Sequence, residues 1–229
     1  MLEKLKERVC LENKRIKESG LVVLTWGNVS AFDKESGLVV IKPSGVDTEI
    51  MKPEDMVVVD LDGNVVEGTF RPSSDTPTHL YLYRSFPDLG GIVHTHSTFA
   101  TSFAQSGMHI PPLGTTHADQ FYGEVPCSRP LTDEEINTEY EANTGKVIVE
   151  TFEGLDHNAI PAVLVNQHGV FTWGKTCEKA VEVAITLEEV AKMAMNTVLI
   201  NPSAKSVGKT LLDKHYLRKH GKNAYYGQK

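Results

Sequence analysis

The sequence has 229 residues, 40% of them hydrophobic, and a formal net charge of -7. A chain of this length can bury the core of a single domain, and its acidic balance excludes the broad basic surface that captures nucleic acid. The sequence contains no run near the roughly 18 apolar residues of a membrane span and no secretion signal, so we predict a cytoplasmic protein that does not contact membranes.

The first third of the chain is predicted to form a helix followed by strands. Apolar residues between Leu2 and Ile16 recur at roughly helical spacing, and Gly20 is a suitable stop. Short runs rich in β-branched residues then predict strands at 21–24, 38–41 and 56–59. The stretch from Asp60 to Asn64 contains Asp-Gly, which is typical of a tight hairpin turn.

Helices and strands alternate in the rest of the chain. Ser74 or Asp75 can cap a helix over 76–86 that has Pro77 in its first turn. Thr132 and Glu135 fit a capping box, which predicts the start of another helix. The remaining predicted strands are 91–96, 147–149 and 162–165, and the remaining predicted helices are 176–195 and 211–220.

This order of elements predicts a fold class. Strands joined by hairpins, with helices interleaved and at the end, indicate a single-domain α/β fold, a three-layer sandwich with a central, largely antiparallel sheet flanked by helices. The sequence contains neither G-x-G-x-x-G nor G-x-x-x-x-G-K, so it offers no support for nucleotide binding.

Three histidines are the candidate metal ligands. His94 and His96 lie two positions apart at the end of an apolar strand, and side chains with that spacing leave the same face. His168 follows a second apolar strand and precedes Gly169. A single histidine at a strand end is more often structural, but this combination favours a site for a borderline-soft divalent ion such as Zn²⁺. Asp75 is the candidate fourth ligand.

Six motifs, in order along the chain, carry a resemblance to a known family. They are Thr25 to Ser30, Ile41 to Asp47, Pro72 to His79, Gly91 to Ser97, Gly114 to Asp119, and Leu211 to Gly221 with Ala224 to Gly227. On these motifs the chain resembles the L-ribulose-5-phosphate 4-epimerases of the class II aldolase and epimerase superfamily. The resemblance implies one domain over residues 1–229 and a homotetramer with active sites between subunits. The C-terminal tail, about residues 222–229, is then expected to complete a neighbouring subunit's site.

The resemblance also implies a reaction and its residues. L-ribulose 5-phosphate and D-xylulose 5-phosphate are interconverted by retro-aldol cleavage of C3–C4, rotation of glycolaldehyde phosphate and aldol re-addition. The implied zinc ligands, with Mn²⁺ or Co²⁺ as alternative ions, are Asp75, His94, His96 and His168. The implied proton carriers are Asp119 and Tyr226, with His215 contacting substrate from the adjacent chain and Arg218 supporting Tyr226.

Three loops are predicted to bind the sugar phosphate. Backbone amides and hydroxyls in Gly/Ser/Asn loops can receive an anion. The loop residues are Gly27 and Asn28, Ser44 and Gly45, and Ser73 and Ser74. Lys42 adds a compact positive charge, and Thr115 and Thr116 are expected at the reacting part of the substrate.

Two other functions stay open at this point. An aldolase that stops after cleavage would share the fold and the metal, although the related fuculose-phosphate aldolases carry a glutamate where this chain has Asp75. A non-catalytic module similar to the adducin head would share the fold, but it would not need three intact histidines.

Overall fold

A computed structural model describes residues 2–227. Residues 228 and 229, the end of the predicted tail, lie outside the described residues. The strands are β1 (Asn28–Asp33), β2 (Leu38–Ile41), β3 (Val57–Asp60), β4 (Val65–Glu67), β5 (Gly91–Thr95), β6 (Ala162–Leu164) and β7 (Val170–Gly174). The helices are α1 (Glu3–Glu18), α2 (Thr76–Ser85), α3 (Thr98–Ser106), α4 (Thr115–Ala118), α5 (Asp133–Asn137), α6 (Tyr140–Thr151), α7 (Cys177–Ile200) and α8 (Lys209–His220).

The strands form one seven-stranded sheet in the order β4-β3-β2-β1-β5-β7-β6. Neighbouring strands are antiparallel throughout the sheet. The predicted antiparallel α/β fold is therefore confirmed. β5, the strand that carries His94, lies between β1 and β7 in the interior of the sheet.

Alternate side chains of the strands enter two hydrophobic cores, one on each face of the sheet. Val39 and Ile41 pack with residues of α2, α3 and α6, whereas Val40 packs with residues of α1. Helix α7 contributes to both cores, through Val181 on one side and Leu187 on the other. The sheet is thus covered by helices on both faces, as the period-two pattern of its strands requires.

Two predicted strands are wrong. Residues 21–24 form a connection with a turn, because Leu24 has a left-handed φ of 55° that an extended strand excludes. Residues 147–149 lie inside α6, whose buried residues include Thr144, Val147 and Ile148. That spacing of three or four is the period of a helix, and it outweighs the β-branched composition that suggested a strand.

Helix starts are predicted better than helix ends. Thr132 accepts from the backbone N–H of Glu135 in the expected capping box, and Thr176 caps α7. The end predicted for α7 at residue 195 is wrong, since the helix continues to Ile200. Helix α3 and strands β1 and β7 were not predicted. Within residues 2–227, none of the helices combines the length and the apolar character needed to span a membrane.

Candidate metal centre and substrate cavity

His94 is fixed by the centre of the sheet. It is 2% exposed, and its ring stacks on Phe171 of the neighbouring strand β7 with ring centroids 4.3 Å apart. Its Nδ1–H donates to the carbonyl oxygen of Val170 at 3.0 Å. Because that nitrogen carries the proton, Nε2 of His94 is left with a free lone pair.

The other two histidines converge on this lone pair. Nε2 of His96, just past the end of β5, lies 3.1 Å from Nε2 of His94. His168 is delivered by the turn between β6 and β7, in which the N–H of Val165 donates to the carbonyl of Gly169 at 2.8 Å. One ring nitrogen from each of the three histidines lies within 4.8 Å of the others. The structure thus brings the three predicted side chains together, and their role as metal ligands stays a prediction.

The turn that presents His168 has two unusual backbone positions. Gln167 has a left-handed φ of 58°, a conformation that costs a non-glycine residue free energy. At Gly169, a Cβ atom would lie 2.8 Å from the carbonyl oxygen of Thr95 and 3.2 Å from ring carbons of both His94 and His96. Gly169 therefore permits the close approach of β7 and β5 that brings the three rings together.

The donor set fits a divalent cation. Burial, and then the neighbouring histidines, lower the pKa of His168 to about 3 and that of His96 to about 4, so both rings are neutral near pH 7. Facing nitrogens 3.1 Å apart repel one another unless a proton or a cation lies between them. A tetrahedral zinc site separates its nitrogen ligands by about 3.3 Å. The His94–His96 separation is close to that spacing, and the three histidines could hold a metal ion.

Asp75 lies in the same cavity but outside this three-nitrogen group. It stands at the start of α2, yet its side chain does not cap the helix; instead Oδ2 accepts from Nδ2 of Asn28 at 2.6 Å. Burial opposes ionisation of Asp75, but His94, His79 and the Asn28 bond outweigh it, and the net pKa is lowered. A carboxylate is thus held ionised beside the histidines, and its role as the fourth ligand stays a prediction.

The predicted phosphate loops meet at this cavity, which has a volume of about 590 Å³. Its lining includes Gly27, Asn28, Lys42, Ser44, Gly45, Ser73 and Ser74 together with Asp75 and the three histidines. Asn28 lies opposite His94 in the β1–β5 pairing, and its buried Oδ1 has no hydrogen-bond partner within residues 2–227. Lys42 is 3% exposed, and burial lowers its pKa.

Two residues of the cavity wall lie outside every motif of the sequence analysis. Tyr140 and Glu141 line the cavity from the start of α6. Because residues 147–149 were predicted to be a strand, no pattern in the sequence indicated that this segment would reach α2, against which α6 packs. The Tyr-Glu pair belongs to none of the six motifs.

Four of the other residues singled out from the sequence meet in a second group with Lys219, which was not predicted. We call it the Asp119 cluster: Asp119, His215, Arg218, Lys219 and Tyr226. The carboxylate of Asp119 accepts from Nδ1 of His215 at 2.9 Å and from the guanidinium of Arg218, with both oxygens at 2.9 Å from Nη2. The Lys219 ammonium is 3.3 Å away. Burial opposes ionisation of Asp119, but the hydrogen bonds from Arg218, His215 and Lys219 and the charge of Lys219 outweigh it and lower its pKa.

The Asp119 cluster is separate from the metal cavity of the same chain. The ring of Tyr226 packs against the Arg218 guanidinium at 5.0 Å and the Lys219 ammonium at 4.4 Å. Thr115 and Thr116 begin α4, one turn before Asp119. Among the described residues that line the metal cavity, none comes from this cluster or from the two threonines.

Two further histidines are buried nearby in the core. His79, one turn after Asp75, accepts or donates at Nδ1 to the hydroxyl of Ser30 at 2.7 Å. His117 donates from Nε2 to the carbonyl of Gly123 at 2.6 Å. Burial lowers the pKa of His79 to about 3 and that of His117 to about 4.

The fold and this site define a class of protein. Residues 7–195 match the family described as the class II aldolase and adducin N-terminal domain, and the chain belongs to that family. Over 228 residues it is 58% identical to L-ribulose-5-phosphate 4-epimerase UlaF of Salmonella paratyphi C (strain RKS4594), a match that covers 100% of both chains. The resemblance predicted from the six motifs is confirmed.

Solved structures agree with this assignment. An L-fuculose 1-phosphate aldolase superposes with a TM-score of 0.79 at 27% identity, over 93% of this chain and 94% of that one. The L-fuculose-1-phosphate aldolase of Thermus thermophilus superposes with a TM-score of 0.69 at 24% identity, over 89% of this chain and 99% of that one. The second likeness concerns the fold alone.

Proposed function

We propose that the protein is a divalent-metal-dependent epimerase that interconverts L-ribulose 5-phosphate and D-xylulose 5-phosphate. The observation that carries the proposal is the convergence of three imidazoles in a cavity that also contains the predicted phosphate loops. The identity of 58% over the whole chain with UlaF supports the choice of substrate. The identity with an L-fuculose 1-phosphate aldolase is 27%, which makes the aldolase the weaker candidate.

His94, His96 and His168 would hold the ion, for which Zn²⁺ suits the three nitrogens and Mn²⁺ or Co²⁺ are alternatives. Such an ion, when bound, supplies Lewis-acid stabilisation of the negative charge that accompanies cleavage of C3–C4. The three imidazoles add no negative charge to the ion, so that Asp75 would be its one anionic protein ligand. Asp75, held by Asn28, is proposed as the carboxylate at the metal.

The phosphate loops have a distinct task, because the cleaved aldehyde must turn without leaving. Lys42 donates to the carbonyl of Pro43 at 3.3 Å and otherwise offers its buried ammonium to the cavity. Burial lowers the pKa of Lys42, and the negative charge of a phosphate dianion next to it would offset that effect. The hydroxyls of Ser44 and Ser73 and the amides of their loops would fix the same group.

Inversion at C4 requires proton transfer on both faces of that carbon. When C3–C4 breaks, the electron pair of the bond passes to the C3 fragment, and the C4 hydroxyl loses its proton as the carbonyl forms. Re-addition to the opposite face returns a proton to the new C4 oxygen. We propose Asp119 and Tyr226 as the two carriers, one for each face.

Because the Asp119 cluster does not line the metal cavity of its own chain, we propose that it meets the cavity of a neighbouring subunit. A homotetramer with sites between subunits would bring His215, Asp119 and Tyr226 to the substrate. Within one chain, the cations around Asp119 would keep that carboxylate ionised until the substrate arrives.

A product assay tests the proposed function. Purified protein with added Zn²⁺ is incubated with L-ribulose 5-phosphate, and the C4 epimer and free glycolaldehyde phosphate are both quantified. We expect D-xylulose 5-phosphate to form without accumulation of aldehyde. Accumulated aldehyde would identify an aldolase, and no turnover by metal-loaded protein would favour a non-catalytic module. His96→Asn, which removes one ligand, serves as the inactive control.

A further inference from the structure

Tyr140 connects the cavity wall to one of the metal-binding histidines. It is the first residue of α6, it lines the cavity, and its phenol oxygen lies 3.4 Å from Nδ1 of His168. The two rings are neighbours as well, with centroids 5.9 Å apart. No motif of the sequence and no step of the proposed reaction uses this residue.

His94 and His168 differ in what contacts their Nδ1 atoms. Nδ1 of His94 donates to a backbone carbonyl, which no side-chain substitution removes. Nδ1 of His168 contacts only the side chain of Tyr140 among the described residues. Metal-bound imidazoles nearly always donate their second N–H to a partner that fixes the ring. For His168, that partner is a single hydroxyl.

The hydrogen-bond capacity of a phenol fits this position. If His168 coordinates through Nε2, its Nδ1 carries the proton and the oxygen of Tyr140 accepts it. The O–H of Tyr140 then remains free to donate to an oxygen in the cavity.

The backbone of Tyr140 is held independently of the metal site. Oγ1 of Thr78 on α2 donates to the carbonyl of Glu141 at 2.6 Å. Gly145 on α6 approaches α2 so closely that a Cβ atom there would lie 2.7 Å from the side chain of Tyr81. Loss of the Tyr140 hydroxyl alone would therefore leave the α2–α6 contact in place.

We propose that Tyr140 is a positioning residue of the metal centre, which fixes the ring of His168 through its oxygen and directs its O–H to an oxygen of the sugar phosphate. The proposal rests on the proposed metal site. It assigns a function to a residue of α6, which lies outside the loops that we propose to bind the phosphate.

Tyr140→Phe tests the proposal, because it keeps the ring and removes only the hydroxyl. Tyr81→Phe is the matched control: Tyr81 lies in the same α2–α6 contact but does not line the metal cavity. Metal-free proteins are titrated with Co²⁺, whose visible absorption reports ligand geometry, and the affinity is measured by competition with a chelator. Urea unfolding of the metal-free proteins checks the fold.

We expect Tyr140→Phe to bind Co²⁺ about 10- to 100-fold more weakly, with an altered spectrum, while Tyr81→Phe stays close to the wild type. Equal affinity and an equal spectrum for Tyr140→Phe and the wild type would overturn the proposal, as would equal losses in both variants. The wild type and His168→Asn separate this result from failure of the metal site itself. If the wild type fails to bind Co²⁺, or binds it no better than His168→Asn, both proposals fall.

Discussion

The metal cavity and the Asp119 cluster hold their polar residues in opposite ways. In the cavity, His94 is buried in the middle of the sheet and bonded to a backbone carbonyl. In the cluster, Asp119 is bonded to long side chains of α8, a helix with no fully buried residue. The positions of the three histidines are therefore set by core packing, whereas the residues that we propose as proton carriers depend on ion pairs near the surface. Substitutions in the two regions should therefore fail differently.

The largest effect is expected from Gly169→Ala. The added methyl group would collide with the carbonyl oxygen of Thr95 and crowd the rings of His94 and His96. Since misplacement of a site by about 1 Å can cost about 100-fold in rate, we expect at least that loss in kcat/KM, together with loss of bound metal. Metal content by elemental analysis and initial rates provide the measurement.

Gly208→Ala is the control for this substitution, because a Cβ atom there meets no atom within 4 Å and the backbone φ is -66°. Normal metal content and turnover in Gly169→Ala would mean that the close approach of β5 and β7 does not set the ligand geometry.

Asp119→Asn is expected to lower turnover without lowering the affinity for metal. The substitution removes the carboxylate that we propose as a proton carrier, and losing such a group costs about 100-fold or more in kcat. Metal affinity should stay within about twofold, because the metal cavity of the same chain does not include Asp119. Stopped assays and chelator competition measure the two quantities on one preparation.

Asp213→Asn controls for a lost carboxylate on the same face of the protein, since Asp213 pairs with Lys209 and Tyr122 instead of joining the Asp119 cluster. Unchanged turnover in Asp119→Asn would contradict the assigned role, and loss of metal would contradict the division of the site into two regions.

A smaller effect is expected at Glu188 of α7, whose side chain holds the segment that follows His96. Its carboxylate accepts from the backbone N–H groups of Phe99 and Ala100 at 2.8 and 2.9 Å, in the first turn of α3, directly after His96. Charged hydrogen bonds of this kind contribute about 1.5–3 kcal/mol. We expect Glu188→Gln to lower the free energy of unfolding by about 1 kcal/mol and to bind metal several-fold more weakly.

Urea unfolding and chelator competition measure both consequences, with the exposed neighbour Glu189→Gln as the control. Lower stability with unchanged metal affinity would mean that Glu188 only caps α3 and does not position His96.

The last effect concerns the loss of stability in acid and leaves both regions of the site intact. Because burial depresses the pKa values of His79 and His117 below the value of about 6.5 expected in the unfolded chain, the unfolded state takes up protons first as the pH falls. The stability they contribute is complete above about pH 6.5 and declines towards their folded pKa values, by at most about 1.4 kcal/mol per pH unit for each group.

Unfolding of the metal-free protein by urea, at about pH 7 and about pH 5.5, measures this loss. His117→Gln, which keeps a donor for the carbonyl of Gly123, should lose less stability on acidification than the wild type. His109→Gln, at an exposed histidine, should behave like the wild type. Equal losses in the wild type and His117→Gln would exclude His117 as a source of the acid sensitivity.

Sequence reasoning succeeded where a local pattern determines the structure. The capping box at Thr132 and the turn after β3 are local signals, and each is found where it was predicted. His94 and His96 were predicted to share a direction because a strand has a period of two residues. His168 was added from a similar position at a second strand end, and the antiparallel pairing of β5 with β7 brings it to the same point.

The failures arise from tertiary contacts. A β-branched segment became the buried face of α6 because its spacing suits packing on α2, and Tyr140 reached the cavity by that route. A glycine is required at position 169 because β5 and β7 approach each other closely there, and these strands meet only in the folded sheet. The gap between the Asp119 cluster and the metal cavity likewise depends on where α4 and α8 pack, which no motif specifies.

The most direct test of the metal centre is turnover of L-ribulose 5-phosphate by protein stripped of metal, before and after Zn²⁺ is restored. We predict that the stripped protein stays folded, forms almost no D-xylulose 5-phosphate, and recovers activity in proportion to the Zn²⁺ it binds. Full turnover by the stripped protein, or recovery of the same size in His96→Asn, would contradict a reaction that depends on an ion held by these three histidines.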